Sequence, residues 1–318
     1  MGTKLDKYAD LKNAWETPVM IESHINGVRQ KYMNPNTPIS YEELIDDAFA
    51  CWEAGATAMH AHNTDLTLQG PEAADDYRKV WGKVHEKYPD LFWYPTITPV
   101  DPEDEDQCGL EHYGLLKDTG VHAACLDSGM NLIATNTDED EDENEILEGI
   151  TYGWTLSQIG RQAAYLRKED LNVIWGIYDP GFAKVALYYM NTGYIKKATW
   201  DFYLFGDYGL ASTQPINVSG MSPTYESLYY YLSMIEDCRV KIPWFVSIWG
   251  EGDGETRRKI IKRTIELGGH IKTGLEMSYE KNANPTNLEL LKEAQEIARE
   301  VGRPLATREE ALKMYGAK

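Results

Sequence analysis

The chain has 318 residues, 42% of them hydrophobic, and its 51 acidic residues outnumber 31 basic ones to give a net charge of −20. This size and composition suffice for a large core and exclude disordered, collagen-like and miniature proteins. The negative charge repels phosphate backbones and anionic lipid, so we expect neither nucleic acid nor a membrane surface as a partner. The N-terminal stretch has no apolar segment of the kind found in signal peptides, and the four cysteines form no CxxC pair. A cytoplasmic location is therefore expected.

Runs of β-branched and aromatic residues of strand length alternate with amphipathic stretches of helix length along the chain. This alternation predicts a parallel sheet with crossover helices. The predicted strands are Val19–Asn26, Thr57–His62, Leu91–Thr98, Val121–Leu126, Asn172–Tyr178, Asp201–Phe205, Trp244–Trp249 and His270–Gly274. The predicted helices lie near 41–54, 73–88, 109–119, 154–169, 180–193, 223–237, 254–267 and 286–301.

Eight such units predict a single (βα)8 barrel, and the alternative fold is a doubly wound open sheet, because a sequence does not show closure. We assign residues 1–17 to an N-terminal extension and 18–318 to the barrel, with an acidic insertion near 133–153 and a C-terminal helical tail. The run from Asp138 to Glu143 lacks the glycine that a Ca²⁺ loop needs at its sixth position, so it is interpreted as a solvated loop.

The sharpest local feature is a pair of histidines, His60 and His62, at the end of the second predicted strand. Alternation along a strand points both imidazoles to one side, and the carboxyl ends of barrel strands meet at the active face. The pair then indicates a transition-metal site; the alternative is two hydrogen-bonded core histidines.

A third ligand is available in Glu276, just past the eighth predicted strand. Two histidines and one carboxylate leave an open position for water or substrate, which is typical of catalytic Zn²⁺ or a similar divalent ion. The alternative is an ordinary surface glutamate. His270 begins the same strand and is expected to be structural, because it faces the opposite end of the barrel.

Several segments together resemble the β-keto acid cleavage enzyme family, typified by enzymes that cleave 3-keto-5-aminohexanoate. They occur in the family's order over roughly residues 18 to 312. The segments are Ala58–Asn63, Tyr178–Gly181, Gly220–Thr224, Gly268–Glu276 and Gly302–Thr307.

The resemblance implies a metal-dependent (βα)8 barrel that condenses a β-keto acid with acetyl-CoA and releases acetoacetate and a new CoA thioester. It implies Zn²⁺ ligands at His60, His62 and Glu276, and a homo-oligomer. The expected partners are a small carboxylated metabolite and a CoA thioester.

The chain differs from the family at the position of the catalytic base. The characterised type has an Asp after the metal-binding Glu and an Arg four residues before it, whereas Met277 and Lys272 stand here. Methionine cannot take a proton, and lysine lacks the planar fork of arginine. A replacement carboxylate is one solution, and metal-bound hydroxide or loss of the activity are the others. The candidate carboxylates, which follow strand ends, are Glu22, Asp127, Asp179, Asp207, Glu251 and Asp253.

Substrate-binding candidates follow from position. Arg29 stands near the place where a family member meets a substrate amino group with an acidic residue, so a carboxylate or hydroxyl terminus would suit it. The alternative is a surface arginine paired with a carboxylate. Lys272 is a second anion-binding candidate. The residues predicted to act in catalysis are Lys272, Glu22 and Asp127. Positional matches to the family add Thr96, Thr98, Ser128 and Gly220.

We therefore expect a β-keto acid cleavage-type acyltransferase. An aldolase, hydratase or hydrolase on the same metal site is the alternative within enzymes. A non-catalytic metabolite-binding protein is the alternative from another class, and it would need no base within reach of a bound ligand.

Overall fold

A computed structural model describes residues 5–100, 107–136, 147–280 and 282–316. Its elements are, in chain order, α1 Asp6–Ala9, β1 Ile21–His24, α2 Tyr41–Glu53, β2 Ala58–Ala61, α3 Gly70–Lys87, β3 Trp93–Pro95, α4 Glu111–Leu115, β4 Ala123–Asp127, β5 Met130–Ala134, β6 Gly149–Gly153, α5 Leu156–Lys168, β7 Asn172–Ile177, α6 Pro180–Asn191, β8 Ala198–Phe205, α7 Tyr225–Ile235, β9 Trp244–Trp249, α8 Gly254–Glu266, β10 His270–Thr273, α9 Asn287–Val301 and α10 Arg308–Tyr315.

Eight of the strands form one parallel sheet in the order β3-β2-β1-β10-β9-β8-β7-β4. A parallel bridge between Trp93 and Val121 joins its two edges, and the Trp93 amide donates to the Gly120 carbonyl at 3.3 Å. All of the predicted strands are present, with limits that match or lie within three residues of the expected ones. The predicted (βα)8 barrel is thus confirmed, and the open doubly wound sheet is wrong because the edges meet.

Local signals in the sequence account for several helix starts. Ser40 and Glu43 form a capping box on α2, and Thr307 and Glu310 form another on α10. In each box two backbone amides that lack helical partners are satisfied by side chains. The helix predicted near 109–119 is instead the short α4 followed by a single 3-10 turn.

One feature of the fold was not predicted. The segment after β4 continues into an antiparallel hairpin, in which Ile133 of β5 lies opposite Ile150 of β6. This hairpin occupies the stretch near 133–153 that the sequence indicated as an insertion. The acidic run from Asp138 to Glu143 lies outside the described residues.

The C-terminal residues close the N-terminal end of the barrel. Arg303 is 1% exposed and donates to the carbonyls of Thr17 and Gly269 at 3.0 and 2.6 Å, tying the ends of several elements together. Tyr315 at the end of α10 is buried, stacks on Phe245, and donates its hydroxyl to the Glu22 carboxylate inside the barrel. Among the helices that the structure describes, none has the length and apolar character needed to cross a bilayer.

Candidate active site

A cluster of three histidines and one carboxylate lies at the carboxyl ends of the strands. His24 of β1 is in register with His60 of β2, so their imidazoles are adjacent inside the barrel, with ring centroids 4.8 Å apart. Glu276 reaches them from the loop after β10. Its Oε2 lies 3.0 Å from His24 Nδ1 and 3.5 Å from His60 Nε2, and its Oε1 lies 3.0 Å from His62 Nε2.

The loop that carries Glu276 depends on one glycine. Gly274 has φ +141°, and a Cβ there would meet the His24 carbonyl oxygen at 2.1 Å. Only glycine permits this approach of β10 to β1. The Glu276 amide, 3.3 Å from the same carbonyl, then continues the contact between the two strands.

The cluster suits a divalent metal ion. Ligand atoms of His24, His60 and Glu276 all lie within 4.8 Å of one another, and the three residues are buried. Imidazole and carboxylate are ligands that Zn²⁺ and similar ions prefer. Burial lowers the pKa of His60 to about 4, which keeps its imidazole neutral, the form in which histidine binds metal. The structure therefore brings together the three predicted ligands and adds His24, which the sequence analysis missed.

His24 and His62 differ in their access to the cavity at the mouth of the barrel. His24 Nε2 lies 3.0 Å from the Tyr94 hydroxyl and 3.5 Å from Glu22, so both of its nitrogens face protein groups. His24 is not among the described residues that line the cavity. His62 lines the cavity together with His60 and Glu276. The predicted set of His60, His62 and Glu276 thus stays our prediction for the ligands, with His24 supporting Glu276.

Metal content tests this assignment. We expect the double variant His60→Ala/His62→Ala to purify without bound metal, because two of three ligands are gone. We expect His24→Ala to retain stoichiometric metal at saturation with affinity lowered about 10–100-fold, the usual cost of losing a supporting residue. Inductively coupled plasma mass spectrometry of the purified proteins measures this, with His122→Ala at the other end of the barrel as control. Full occupancy in the double variant would refute the site.

A buried ionic network lies one layer further into the barrel. Lys272 Nζ is 3.0 Å from Asp201 and 3.5 Å from Glu22, and all three side chains are at most 1% exposed. Burial disfavours every charge here, yet the neighbouring Lys272 lowers the pKa of Glu22 to about 2. Lys272 also donates to the Tyr94 hydroxyl at 3.0 Å. Glu22 and Lys272, both candidates for catalysis from the sequence, therefore pair with each other, and Lys272 also pairs with Asp201.

Asp127 at the end of β4 is the predicted carboxylate that reaches the cavity. Tyr152 of β6 donates to its Oδ2, whereas its buried Oδ1 has no hydrogen-bond partner among the described residues. Burial, more than the nearby charges of Asp201 and Glu276, raises the pKa of Asp127 to about 7. A carboxyl group that titrates near neutrality is suited to general acid–base chemistry.

A cavity of about 650 Å³ connects these groups. The metal cluster forms one part of its wall, and Asp127 and Tyr152 form another. Thr96 and Thr98, which are predicted to bind substrate, also line it, and the Thr98 hydroxyl donates to the Gly109 carbonyl at 3.2 Å. The hairpin formed by β5 and β6 contributes a side wall. Most of the remaining wall is apolar, formed by Val28, Leu66, Ile97, Val100, Ile133, Ile150, Trp154, Leu210 and Trp249.

Three predicted substrate-binding residues are engaged elsewhere. Arg29 is 1% exposed and donates to the backbone carbonyls of Glu276, Met277 and Gly209 at 3.2–3.3 Å. Ser128 is fully buried and donates to the Phe182 carbonyl at 2.9 Å. A Cβ at Gly220 would lie 2.3 Å from the Tyr178 carbonyl oxygen. These partners give all three a role in packing the loops around the cavity.

The remaining predicted carboxylates are also occupied or exposed. Asp179 caps α6 by accepting from Gly181 and Phe182, and Asp253 caps α8 by accepting from Thr256. Glu251 is buried against Arg257, and Asp207 is exposed. Met277, at the family's base position, is 1% exposed and belongs to the core.

Comparison with known proteins matches nearly the whole chain to one family. The family model described as beta-keto acid cleavage enzyme matches residues 18–316. A 3-oxoadipate:acetyl-CoA acetyltransferase from Cupriavidus necator is 23% identical over 303 residues, which cover 94% of this chain and 95% of that protein. A 3-keto-5-aminohexanoate cleavage enzyme from Fusobacterium nucleatum is 24% identical over 298 residues, covering 91% of this chain and 93% of that enzyme.

A solved structure shares the fold. ObcA, in its binary complex with oxaloacetate, superposes with a TM-score of 0.62 at 14% sequence identity, over 89% of this chain and 67% of that one. At this identity the likeness supports the barrel architecture.

Proposed function

Because the chain belongs to the family of β-keto acid cleavage enzymes, we propose that it transfers acyl groups between a β-keto acid and acetyl-CoA. In this reaction C2 of the β-keto acid loses a proton and forms a bond to the acetyl carbonyl carbon, and the acetyl C–S bond breaks to release CoA as its thiolate. The thiolate sulfur then bonds to the original keto carbon, the bond between C2 and that carbon breaks, and the proton returns to C2. The products are acetoacetate and a new CoA thioester, so atoms and charge balance.

The observation that carries the proposal is the content of a single cavity. His60, His62 and Glu276 face the same space as Asp127. We propose that the three ligands hold Zn²⁺ or another divalent ion. The chemistry such an ion supplies is stabilisation of the negative charge that develops on a keto oxygen. His24 and Arg29 keep Glu276 in place through its carboxylate and its backbone carbonyl.

We propose Asp127 as the base that replaces the missing family aspartate. It must accept the C2 proton and later return it, which requires a pKa close to the working pH. Tyr152 fixes the orientation of the carboxylate by donating to Oδ2, and this leaves Oδ1 for the proton. The proposed base thus lies at the end of β4, whereas the family's aspartate would follow Glu276 in the loop after β10.

Isotope-labelled acetyl-CoA tests the reaction. With carbon label in the acetyl group, a panel of β-keto acids and metal-replete protein, we expect label to appear in acetoacetate, detected by mass spectrometry. The substrate's acyl group should appear on CoA in equal amount. Protein stripped of metal by a chelator is the control, and we expect it to be inactive until metal is restored.

The same experiment separates the alternatives. Label in free acetate would indicate a hydrolase that shares the site, a possibility raised by Met277 at the usual base position. Binding of β-keto acids without any turnover would indicate a metabolite-binding protein. Either result would refute the proposed transfer.

A further inference from the structure

We infer that the β-keto acid taken by this protein carries an uncharged, apolar group beyond its keto carbon. This inference rests on the proposed function and specifies its substrate class. The relatives named above differ in this part of their substrates, since 3-oxoadipate ends in a carboxylate and 3-keto-5-aminohexanoate carries an amino group. The walls of the cavity indicate a third kind of substrate.

The described cavity wall carries negative charge. Among the residues that the structure describes, the lining includes Asp127 and Glu276 but neither lysine nor arginine. Apart from the proposed metal ion, a substrate with a second carboxylate would therefore meet no cation among the described lining residues.

Arg29 and Lys272, the two cations predicted to bind anions, are held away from the cavity. The Arg29 guanidinium donates to three backbone carbonyls and lies over the Tyr279 ring, 5.3 Å from its centroid. Lys272 is enclosed by Asp201 and Glu22. Arg29 Nη1 is buried without a hydrogen-bond partner among the described residues, but neither Arg29 nor Lys272 lines the cavity. For either side chain to turn towards a substrate carboxylate it would have to give up its other buried contacts, which costs several kcal/mol for a buried ion. Arg29 and Lys272, the anion-binding residues predicted from the sequence, are thus unavailable to a substrate tail.

The surface of the described wall is mainly apolar. Ile133 and Ile150 pair across the hairpin and both line the cavity, and Trp154 follows them just before α5. Leu210 and Val28 line it from other loops. Burial of an alkyl or aryl group against such a surface is favourable by about 25 cal/mol per Å². An ammonium group would lose its hydration there, and among the described lining residues outside the metal cluster its counter-charge would be Asp127, the proposed base.

Three substrates with the same number of chain carbons test the inference. They are 3-oxohexanoate, 3-oxoadipate and 3-keto-5-aminohexanoate, which end in a methyl group, a carboxylate and an amino-substituted segment. With holoenzyme and acetyl-CoA, we expect kcat/KM for 3-oxohexanoate to exceed that for each charged substrate by at least about 100-fold, because an unpaired buried charge is costly.

Variants of the hairpin formed by β5 and β6 test whether the cavity wall determines the preference among these substrates. Ile133→Lys places a cation on the cavity wall, and we expect it to raise kcat/KM for 3-oxoadipate relative to 3-oxohexanoate by about 10-fold or more. Leu132→Lys is the matched control, since Leu132 is adjacent on β5 but 58% exposed on the other face. Ile150→Lys, at a position 55% exposed, is a second variant that the fold tolerates if Ile133→Lys does not fold.

The outcomes separate the inference from the function. If a charged substrate is preferred and yields labelled acetoacetate, the inference is wrong and the proposed transfer stands. An unchanged substrate ratio in Ile133→Lys and Ile150→Lys, with both folded, would also refute the inference. If none of the three substrates exchanges its acyl group with acetyl-CoA, the proposed transfer itself fails.

Discussion

Replacing Asp127 with Asn is expected to lower kcat by about 10²–10⁴-fold, the usual contribution of a general base. The amide has the shape of the carboxylate and can accept from Tyr152, but it cannot take a proton. We expect metal content and circular dichroism to match the parent protein, because Asp127 belongs to neither the metal cluster nor the apolar core. Steady-state kinetics with saturating acetyl-CoA measures the loss.

The pH dependence provides a second readout for Asp127. A base is active when deprotonated, and burial raises the pKa of Asp127 to about 7, so kcat/KM should rise with pH through that value. The ionisable groups around it include Tyr152, Asp201, Glu276, Lys272 and Cys125. The hydrogen bond from Tyr152 and the charge of Lys272 lower the pKa of Asp127, whereas Asp201 and Glu276 raise it. In Asp127→Asn the step near neutrality should disappear. Asp118→Asn, whose side chain is 68% exposed, is the control. An Asp127→Asn variant with unchanged kcat would require another base.

Replacing Lys272 with Met is expected to destabilise the protein by about 3–5 kcal/mol, the typical cost of removing one partner from a buried ionic network. Methionine fills a similar volume, but Asp201 and Glu22 would remain buried without their cation. Urea unfolding followed by circular dichroism measures the change. Lys272→Arg, which keeps the charge, should recover part of the stability.

The matched control for this variant is Lys259→Met. Lys259 pairs with Glu255 on the surface of α8, where the two side chains are 60% and 78% exposed. An exposed pair of this kind contributes at most about 1 kcal/mol. Equal losses of stability in Lys272→Met and Lys259→Met would show that the network around Lys272 contributes no more than surface charge does.

The barrel could be predicted because the residue patterns of its strands and helices all indicate the same parallel sheet. Strands such as Asn172–Ile177 and Trp244–Trp249 are continuous apolar runs of the kind that parallel sheets bury on both faces. The β5 and β6 strands gave a weaker signal, since each is five residues long and an acidic run separates them. Their pairing depends on packing over the cavity, which no local pattern in the sequence reports.

Residues of the candidate site that lie at strand ends could be predicted from the sequence. Contacts that form only when the barrel closes could not. His60, His62, Glu276 and Asp127 follow from their positions at or after strand ends. His24 also ends a strand, and its register with His60 could have identified it. The partners of Lys272 could not be predicted, because Asp201 and Glu22 come from strands far apart in sequence that meet only when the barrel closes.

The contact between Tyr315 and Glu22 has a consequence for biosynthesis. These residues are 293 positions apart. The Tyr315 hydroxyl donates to the Glu22 carboxylate, which also pairs with Lys272 and accepts a hydrogen bond from Tyr94. A nascent chain therefore cannot complete the polar interior until residue 315 has emerged from the ribosome. Contacts of such sequence separation form slowly, and the unfinished barrel exposes strand edges that favour aggregation. The polar interior is thus completed only after the last barrel helix has been synthesised, and the interval before closure is when a chaperone has the most to protect.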